Sequence, residues 1–265
     1  MGLYMEKISK QHDKFKIVKN YIKSNNHNGY TVTDDIEIIN LALEHNISIE
    51  LTLYAFDIEY SDFASNVIEK LKTKSKEIYE ISKSTYDSIK LKDNHQGIIC
   101  VIKLNEYTFN DFKNREFLVI LDHLEIPGNV GTIYRTLDSV GASGVIIVDA
   151  ITKLENNNVT SSSRGCNLLI PTITASYHDT LKYLLDNNYD IYLGEPILGK
   201  EYKEYDYKDK IAIVVGNERF GINKDWYNHK AKMVYIPMEG SQNSLNVSIA
   251  LSILAYEAYT KRKDK

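Results

Sequence analysis

The sequence is poor in cysteine and has no long apolar run. Cys100 and Cys166 lie far apart, with neither CxxC spacing nor the density of a disulfide framework, so we expect two small buried apolar residues. No stretch of about eighteen uncharged apolar residues is present, so no membrane span is predicted. Glu6 and Lys7 precede any apolar segment, which argues against a secretory signal and favours a cytoplasmic protein.

Common catalytic motifs are also missing. The sequence contains neither GxxxxGK(S/T) nor GxGxxG, which excludes the usual P-loop and dinucleotide-binding loop, and it has no HExxH or GxSxG. The histidines are scattered without the spacing of metal ligands, so we expect no metal site. They are His12, His27, His45, His95, His123, His178 and His229.

Positive charge is not in excess. The net charge is −4 at pH 7, so the chain lacks the positive field of a strong nonspecific nucleic-acid binder, and any nucleic-acid site has to be a local patch. Two lysine clusters, within residues 7–23 and 70–76, are candidate phosphate contacts. A solvated helix face explains each cluster better than a phosphate site does.

The first hundred residues have the pattern of a small α/β unit. Asp34 and Asp35 are placed to begin a helix that ends near Asn46. Residues 47–55 then alternate as in a half-buried strand, and residues 98–104 form an apolar strand.

The remaining sequence predicts a second, larger α/β domain. Short runs rich in Val, Ile and Leu alternate with helical segments, which is typical of a largely parallel sheet covered on both faces. The strand-like runs are residues 117–121, 144–148, 190–193 and 211–215, and the first helix is 129–140. We therefore divide the chain into a domain at 1–104, a polar linker at 105–115 and a domain at 116–265.

Three segments of the second domain place Gly, Asn or charged residues where a strand ends. Residues 121–135 leave a strand and enter a helix that we expect Asn129 to cap, with Arg135 nearly two turns further along. An ordinary N-cap and a surface arginine explain this segment equally well.

The other two segments follow later strands. In residues 213–221, Gly216 permits close backbone approach and Glu218 stands at the strand exit, where an ionised group costs little. A plain turn is the alternative. In residues 234–248, a proline ends a strand, a polar loop follows, and Asn246 begins an apolar helix.

Together, in order and spacing, these segments resemble the three motifs of the SpoU (TrmH) family of RNA ribose 2′-O-methyltransferases in the SPOUT class. The resemblance is carried by Asn129, Gly131 and Arg135, by Gly216 and Glu218, and by residues 236–238 with 244–248. Residues 163–165 and Pro171 also look like the family segment between the first two motifs.

The resemblance covers roughly residues 116–262. Thr132 stands where alanine is frequent and Arg219 where glycine is frequent, departures that concern specificity more than activity. The first hundred residues are only faintly similar to the RNA-binding domain of ribosomal RNA members, such as the thiostrepton-resistance methyltransferases.

The resemblance implies a fold, a cofactor and a site. The C-terminal α/β domain of SPOUT type would form a deep trefoil knot, an exception to the rule against knots, with S-adenosyl-L-methionine bound in the knot and the site completed across a homodimer. Implied cofactor contacts are Leu193, Gly194, Gly216, Ile236, Met238, Ser244 and Leu245. Implied catalytic residues are Arg135, Asn129, Glu218 and Asn246, and Arg164 would contact RNA phosphate, or cofactor from the neighbouring subunit.

The substrate implied is RNA, with ribosomal RNA favoured over tRNA, because tRNA members usually rely on short basic extensions rather than a leading domain. A tRNA methyltransferase and a non-catalytic RNA-binding protein of the same fold are the alternatives. The helix at 244–259 carries the apolar stripe Ile249, Ile253 and Tyr256, which suits either a dimer interface or ordinary core packing.

Overall fold

The computed structural model of the protein describes residues 5–23, 28–91 and 96–263. His27 and His95 lie outside these ranges, as do the first four residues. The chain divides into unit 1, which is Met1–Asn105 with Leu154–Leu169, and unit 2, which is Glu106–Lys153 with Ile170–Lys265.

The secondary-structure elements are numbered in chain order. The helices are α1 (Asp13–Lys23), α2 (Ile36–Glu44), α3 (Asp62–Lys74), α4 (Lys83–Tyr86), α5 (Pro127–Ser139), α6 (Asn157–Ser162), α7 (Cys166–Leu169), α8 (Tyr177–Asp186) and α9 (Val247–Lys263). The strands are β1 (Tyr30–Thr33), β2 (Ile49–Ala55), β3 (Ser75–Ile81), β4 (Ile98–Lys103), β5 (Phe117–Asp122), β6 (Gly144–Val148), β7 (Thr172–Ala175), β8 (Asp190–Glu195), β9 (Lys200–Glu201), β10 (Ile211–Val215) and β11 (Lys232–Tyr235).

Unit 1 is built on a mixed sheet in the order β1-β4-β2-β3. Asp35 caps α2 by accepting a hydrogen bond from the Glu37 amide at 3.1 Å, which confirms the predicted helix start. The predicted half-buried strand is wrong in one respect, because β2 is buried on both faces. Leu53 packs with the side chains of α1 and α4, whereas Tyr54 packs with those of α2 and α3.

Residues 154–169 belong to unit 1, although the sequence assigns them to the second domain. Asn157, at the start of α6, accepts a hydrogen bond from the Val32 amide at 3.0 Å, and the Thr160 and Thr31 hydroxyls lie 2.8 Å apart. The segment therefore satisfies a backbone donor of β1, which is an edge strand of the sheet.

Unit 2 is built on a parallel sheet in the order β7-β6-β5-β10-β8-β11-β9. The strand order reverses between β5 and β10: β6 and β7 lie on one side of β5, while β8 and β11 lie beyond β10. In such sheets, ligands bind outside the carboxyl ends of the strands at the point of reversal.

The stretch predicted as a linker is partly built into unit 2. Residues Phe109–Phe112 form a 3-10 turn, and the Phe112 side chain is fully buried. Its ring occupies the space beside Gly144, where an added Cβ would lie only 2.6 Å from a ring carbon. Because the segment is mostly polar, its composition did not predict that Phe112 would be buried.

Helix α9 packs against α5, and the Thr136 and Ser252 hydroxyls lie 2.8 Å apart. Its inner face buries Leu251 and Leu254, so core packing accounts for that face only. Ile249 and Tyr256 are 50% and 49% exposed. Among the helices of the described ranges, none is both long enough and apolar enough to cross a membrane.

Replacing Asn157 by alanine should destabilise unit 1. Asn157→Ala leaves the Val32 amide without its acceptor, at a cost of about 1–2 kcal/mol. The matched control is Asn158→Ala, on the exposed side of the same helix, which should leave the thermal unfolding midpoint unchanged or slightly raised. Equal midpoints for the two variants, measured by circular dichroism, would show that Asn157 contributes nothing.

Candidate functional site

A cavity of about 930 Å³ lies at the carboxyl ends of β8, β10 and β11, between the beginnings of α5 and α9. It lies beside the reversal of strand order in unit 2, on the β10 side. Its volume falls within the range of small-molecule sites, which are mostly apolar and carry a few well-placed polar groups.

Most of the residues predicted to bind the cofactor line this cavity. They are Gly194, Gly216, Ile236, Met238, Ser244 and Leu245. Leu193 is the exception, because its side chain is fully buried in the core cluster that also contains Ile191. Since successive side chains of a strand alternate in direction, the cavity-facing position of β8 is Gly194 rather than its neighbour.

Three of the four predicted catalytic side chains form one chain of hydrogen bonds. The Asn129 Nδ2 group donates to Glu218 Oε1 at 2.9 Å, and the Asn246 Nδ2 group donates to Asn129 Oδ1 at 3.1 Å. Asn246 Oδ1 in turn accepts from the backbone and the hydroxyl of Ser248, at 2.9 and 2.6 Å. These hydrogen bonds join the end of β10 to the beginnings of α5 and α9.

Asn129 does not cap α5 as the sequence predicts, and Glu218 holds the backbone that leads into the helix instead. Helix α5 begins at Pro127, its N-cap Ile126 makes no side-chain capping bond, and Asn129 is already inside the first turn. The Glu218 carboxylate accepts the backbone amides of Glu125 and Ile126 at 3.1 and 3.2 Å. Asn129 is therefore free to bridge Glu218 and Asn246.

The hydrogen bonds keep Glu218 ionised. Burial raises the pKa of this carboxyl group, but the bonds from Asn129 and from the backbone amides of Glu125 and Ile126 outweigh burial, so its pKa lies below the usual value. A carboxylate near a helix N-terminus is also stabilised by the helix dipole.

Asn217 is an organising residue that the sequence analysis missed. Its Oδ1 atom accepts the amides of Arg219 and Phe220 at 2.9 and 3.1 Å, and its Nδ2 donates to the His123 carbonyl at 2.8 Å. Its backbone pairs with Gly221 in both directions at 2.9 Å. An asparagine at the start of a glycine-terminated loop is the signal that could have revealed this turn.

Gly216 is required by a backbone contact rather than by approach to a ligand. A Cβ at this position would lie 2.2 Å from the Gly221 carbonyl carbon and 2.3 Å from the Ile222 nitrogen. The loop of residues 217–221 therefore folds back directly onto the end of β10.

The two predicted arginines lie apart from the cavity lining. Arg135 is on the exposed side of α5, and its guanidinium makes no hydrogen bond or ion pair with any residue that the structure describes. Arg164 belongs to unit 1, in the left-handed region at φ 55°, with a guanidinium nitrogen 3.9 Å from Asp35 Oδ2.

Within the described ranges, no group of three or more His, Cys, Asp or Glu side chains is arranged to hold a metal ion. The lysines at 70–76 have local partners. Their ammonium groups contact Asn40, Glu69, the Leu43 carbonyl with Asn46, and Glu50. This supports a solvated surface rather than a phosphate site.

Comparison with known proteins points to one family. Residues 116–256 match the sequence profile described as the SpoU rRNA Methylase family. A Staphylococcus saprophyticus protein assigned to the TrmH family of tRNA/rRNA methyltransferases is 34% identical over 208 residues, which cover 74% of this chain and 83% of the relative.

Two solved structures share the fold over nearly the whole chain. The AdoMet-bound rRNA methyltransferase of Sinorhizobium meliloti has a TM-score of 0.84 and 23% identity, and covers 96% of both chains. The SpoU methyltransferase AviRb of Streptomyces viridochromogenes, in complex with AdoMet, has a TM-score of 0.84 and 20% identity, and covers 94% of this chain and 98% of its own.

Adding a methyl group at Gly216 should disrupt the loop. Gly216→Ala forces backbone atoms apart and should cost about 1–3 kcal/mol of stability. Gly128→Ala is the matched control, because an added Cβ there meets no atom within 4 Å and the position is helical, so it should be neutral or stabilising. Equal thermal midpoints for the two variants would contradict the close backbone contact.

The ionised Glu218 should make stability depend on pH. Because its pKa is lowered in the folded state, its contribution is present above the ordinary value of 4.5 and is lost as pH falls through the folded pKa. Glu218→Gln should therefore lower the urea midpoint at pH 7, and its difference from wild type should shrink below pH 4.5.

Asp138→Asn, which changes an exposed carboxylate on α5, is the control and should show no such convergence. A difference between Glu218→Gln and wild type that stays constant with pH would exclude a stabilising role for the ionised form.

Proposed function

The chain belongs to the SpoU rRNA methylase family, and on that premise we propose that it transfers a methyl group from S-adenosyl-L-methionine to a ribose 2′-hydroxyl in RNA, with ribosomal RNA as the preferred substrate. The observation that carries the proposal is the hydrogen-bonded chain of Glu218, Asn129 and Asn246 beside the cavity.

The cavity suits the proposed cofactor. Ile236, Met238 and Leu245 give it apolar walls, and Gly194 and Gly216 line it without a side chain, a combination that fits a flat, neutral adenine ring. When bound, S-adenosyl-L-methionine supplies an electrophilic methyl group on a sulfonium. The proposal includes the deep trefoil knot of the SPOUT class, formed by the C-terminal part of unit 2.

The protein's own side chains have the structural and electrostatic roles in the proposed reaction. Glu218, Asn129 and Asn246 hold the starts of α5 and α9 in place beside the cavity. Arg135 stabilises the negative charge that develops on the ribose oxygen, because an always-charged guanidinium is a poor general base but a strong electrostatic partner. Alignment of the hydroxyl with the methyl group contributes the rest.

We propose a homodimer because the residues of one chain do not assemble the whole set. Arg135 lies outside the lining of the cavity and its guanidinium has no partner within the described ranges. The half-exposed Ile249 and Tyr256 offer an apolar stripe on α9 for such a contact. In the dimer, Arg164 contacts RNA phosphate or the cofactor of the neighbouring subunit.

Ribosomal RNA is favoured over tRNA by unit 1, which we propose as the RNA-binding domain. The structural match to the S. meliloti rRNA methyltransferase extends over 96% of the chain and so includes this unit. A cytoplasmic location follows from the proposed substrate, and no metal enters the proposal. A non-catalytic RNA-binding protein is the second candidate, but it would not need Arg135 and Glu218 together with the third motif at 236–238 and 244–248.

The test is transfer of labelled methyl from S-adenosyl-L-methionine to separate pools of ribosomal RNA and tRNA, followed by nucleoside analysis. Label in 2′-O-methylated nucleosides of large ribosomal RNA is expected. Label in tRNA alone would identify a tRNA enzyme, whereas cofactor binding without transfer to either pool would contradict the proposed activity.

Arg135→Ala should abolish transfer and spare cofactor binding. Loss of one preorganised charge that stabilises a transition state lowers the rate about 10²–10³-fold. The control is Asp138→Ala, one turn further along the exposed side of α5, which should retain wild-type turnover. Wild-type turnover by Arg135→Ala, measured beside its affinity for S-adenosyl-L-methionine, would remove Arg135 from the mechanism.

A further inference from the structure

Phe220 is 82% exposed although it stands on a closely held loop at the rim of the cavity. The backbone hydrogen bonds between Asn217 and Gly221 close the loop, and Asn217 Oδ1 also holds the Phe220 amide. The loop therefore presents a large apolar ring to solvent in a fixed position, an arrangement that folding alone does not require.

The three residues at the tip of the loop, 218–220, differ in their contacts. The Glu218 carboxylate is bound to the start of α5, while the side chains of Arg219 and Phe220 are exposed. Lys224, just beyond the loop, is exposed as well and also lines the cavity. Neither the Arg219 guanidinium nor the Lys224 ammonium has a polar partner among the residues that the structure describes.

The carboxylates of the cavity do not neutralise these cations. Glu195 accepts a hydrogen bond from the Tyr227 hydroxyl, and Glu218 accepts three hydrogen bonds from the start of α5. The rim thus combines an exposed aromatic ring with two unpaired positive charges.

We propose that Phe220 is the platform on which an unstacked base of the RNA substrate stacks at the methylation site, with Arg219 and Lys224 binding the phosphates on either side. This inference rests on the proposed function and adds the way in which the nucleotide is held. Stacking on aromatic side chains and phosphate binding by Arg and Lys are the means by which proteins recognise unpaired RNA.

The position of the ring favours RNA over the cofactor as its partner. Cavities of this kind bury most of a small ligand's surface, and the apolar walls that suit an adenine lie inside, at Ile236, Met238 and Leu245. Phe220, which stands at the mouth, is left to contact what enters from solvent. A nucleotide whose ribose enters the cavity to reach the methyl group of the cofactor would bring its base to the mouth, beside Phe220.

The first experiment compares binding of two RNA probes: a hairpin with a short unpaired loop, and a fully paired duplex of the same length. Phe220→Ala should weaken binding of the hairpin about 5- to 100-fold, the loss expected for one stacked base, and should leave duplex binding unchanged. Phe220→Trp should retain the hairpin affinity, whereas Phe220→Leu, apolar but without a π face, should not.

Leu185→Ala is the matched control. Leu185 is also exposed, at 48%, but lies on α8 near the amino end of β8, at the opposite edge of the sheet. Its replacement should change neither probe's affinity. Equal affinities of wild type and Phe220→Ala for the hairpin, or a wild type that binds the hairpin no better than the duplex, would overturn the proposal.

The two cations have a separate test. The double variant Arg219→Gln with Lys224→Gln should lower the slope of log Kd against log salt concentration for the hairpin by about 1.4, because each phosphate contact to single-stranded nucleic acid contributes about 0.7. Lys182→Gln, on α8, should leave the slope unchanged. A wild-type slope in the double variant would show that these residues do not bind phosphate.

Three further measurements separate the alternatives. Weaker binding of S-adenosyl-L-methionine by Phe220→Ala would assign the ring to the cofactor, and loss of self-association in sedimentation would assign it to a second copy of this chain; either result would overturn the proposal. Failure of the proposed function is visible separately, as a wild-type protein that transfers no methyl to any RNA while its hairpin binding still depends on Phe220.

Discussion

The structure of the site depends on how the backbone that leads into α5 is held. The N-cap residue Ile126 makes no side-chain capping bond, and the amides of Glu125 and Ile126 lie just before the helix. The Glu218 carboxylate, supplied by the end of a different strand, accepts both of these amides. One interaction therefore stabilises the helix start, ties β10 to α5 and keeps a negative charge beside the cavity.

The other parts of the site follow from this contact. Because Asn129 donates to Glu218 and accepts from Asn246, the same contact also positions the start of α9. Because Glu218 must reach α5, its loop has to fold back tightly, which is possible only with Gly216 at the end of β10. The segment just after the loop is also linked to β5, since Asp122 Oδ2 accepts the Asn223 amide at 2.7 Å.

The sequence predicted the parallel strands of unit 2 well and the contacts between distant segments poorly. The apolar runs at 117–121, 144–148 and 211–215 lie within β5, β6 and β10, because a strand covered on both faces is continuously apolar. Local pattern cannot show that residues 154–169 pack on β1. Nor can it show that the Glu218 carboxylate holds the backbone entering α5, because only the sheet brings the end of β10 beside that helix.

The distribution of paired and unpaired charges explains how a chain with a net charge of −4 can present an RNA site. Much of the lysine charge of unit 1 is engaged locally, as in the contacts of Lys72 with Glu69 and Lys76 with Glu50. Exposed ion pairs of this kind contribute little to stability, but they cancel the field that would attract RNA nonspecifically. The unpaired cations Arg219 and Lys224 stand at the rim of the cavity. On the proposed function, they attract RNA at the place where a nucleotide would enter, which favours selection of the substrate over tight binding to RNA in general.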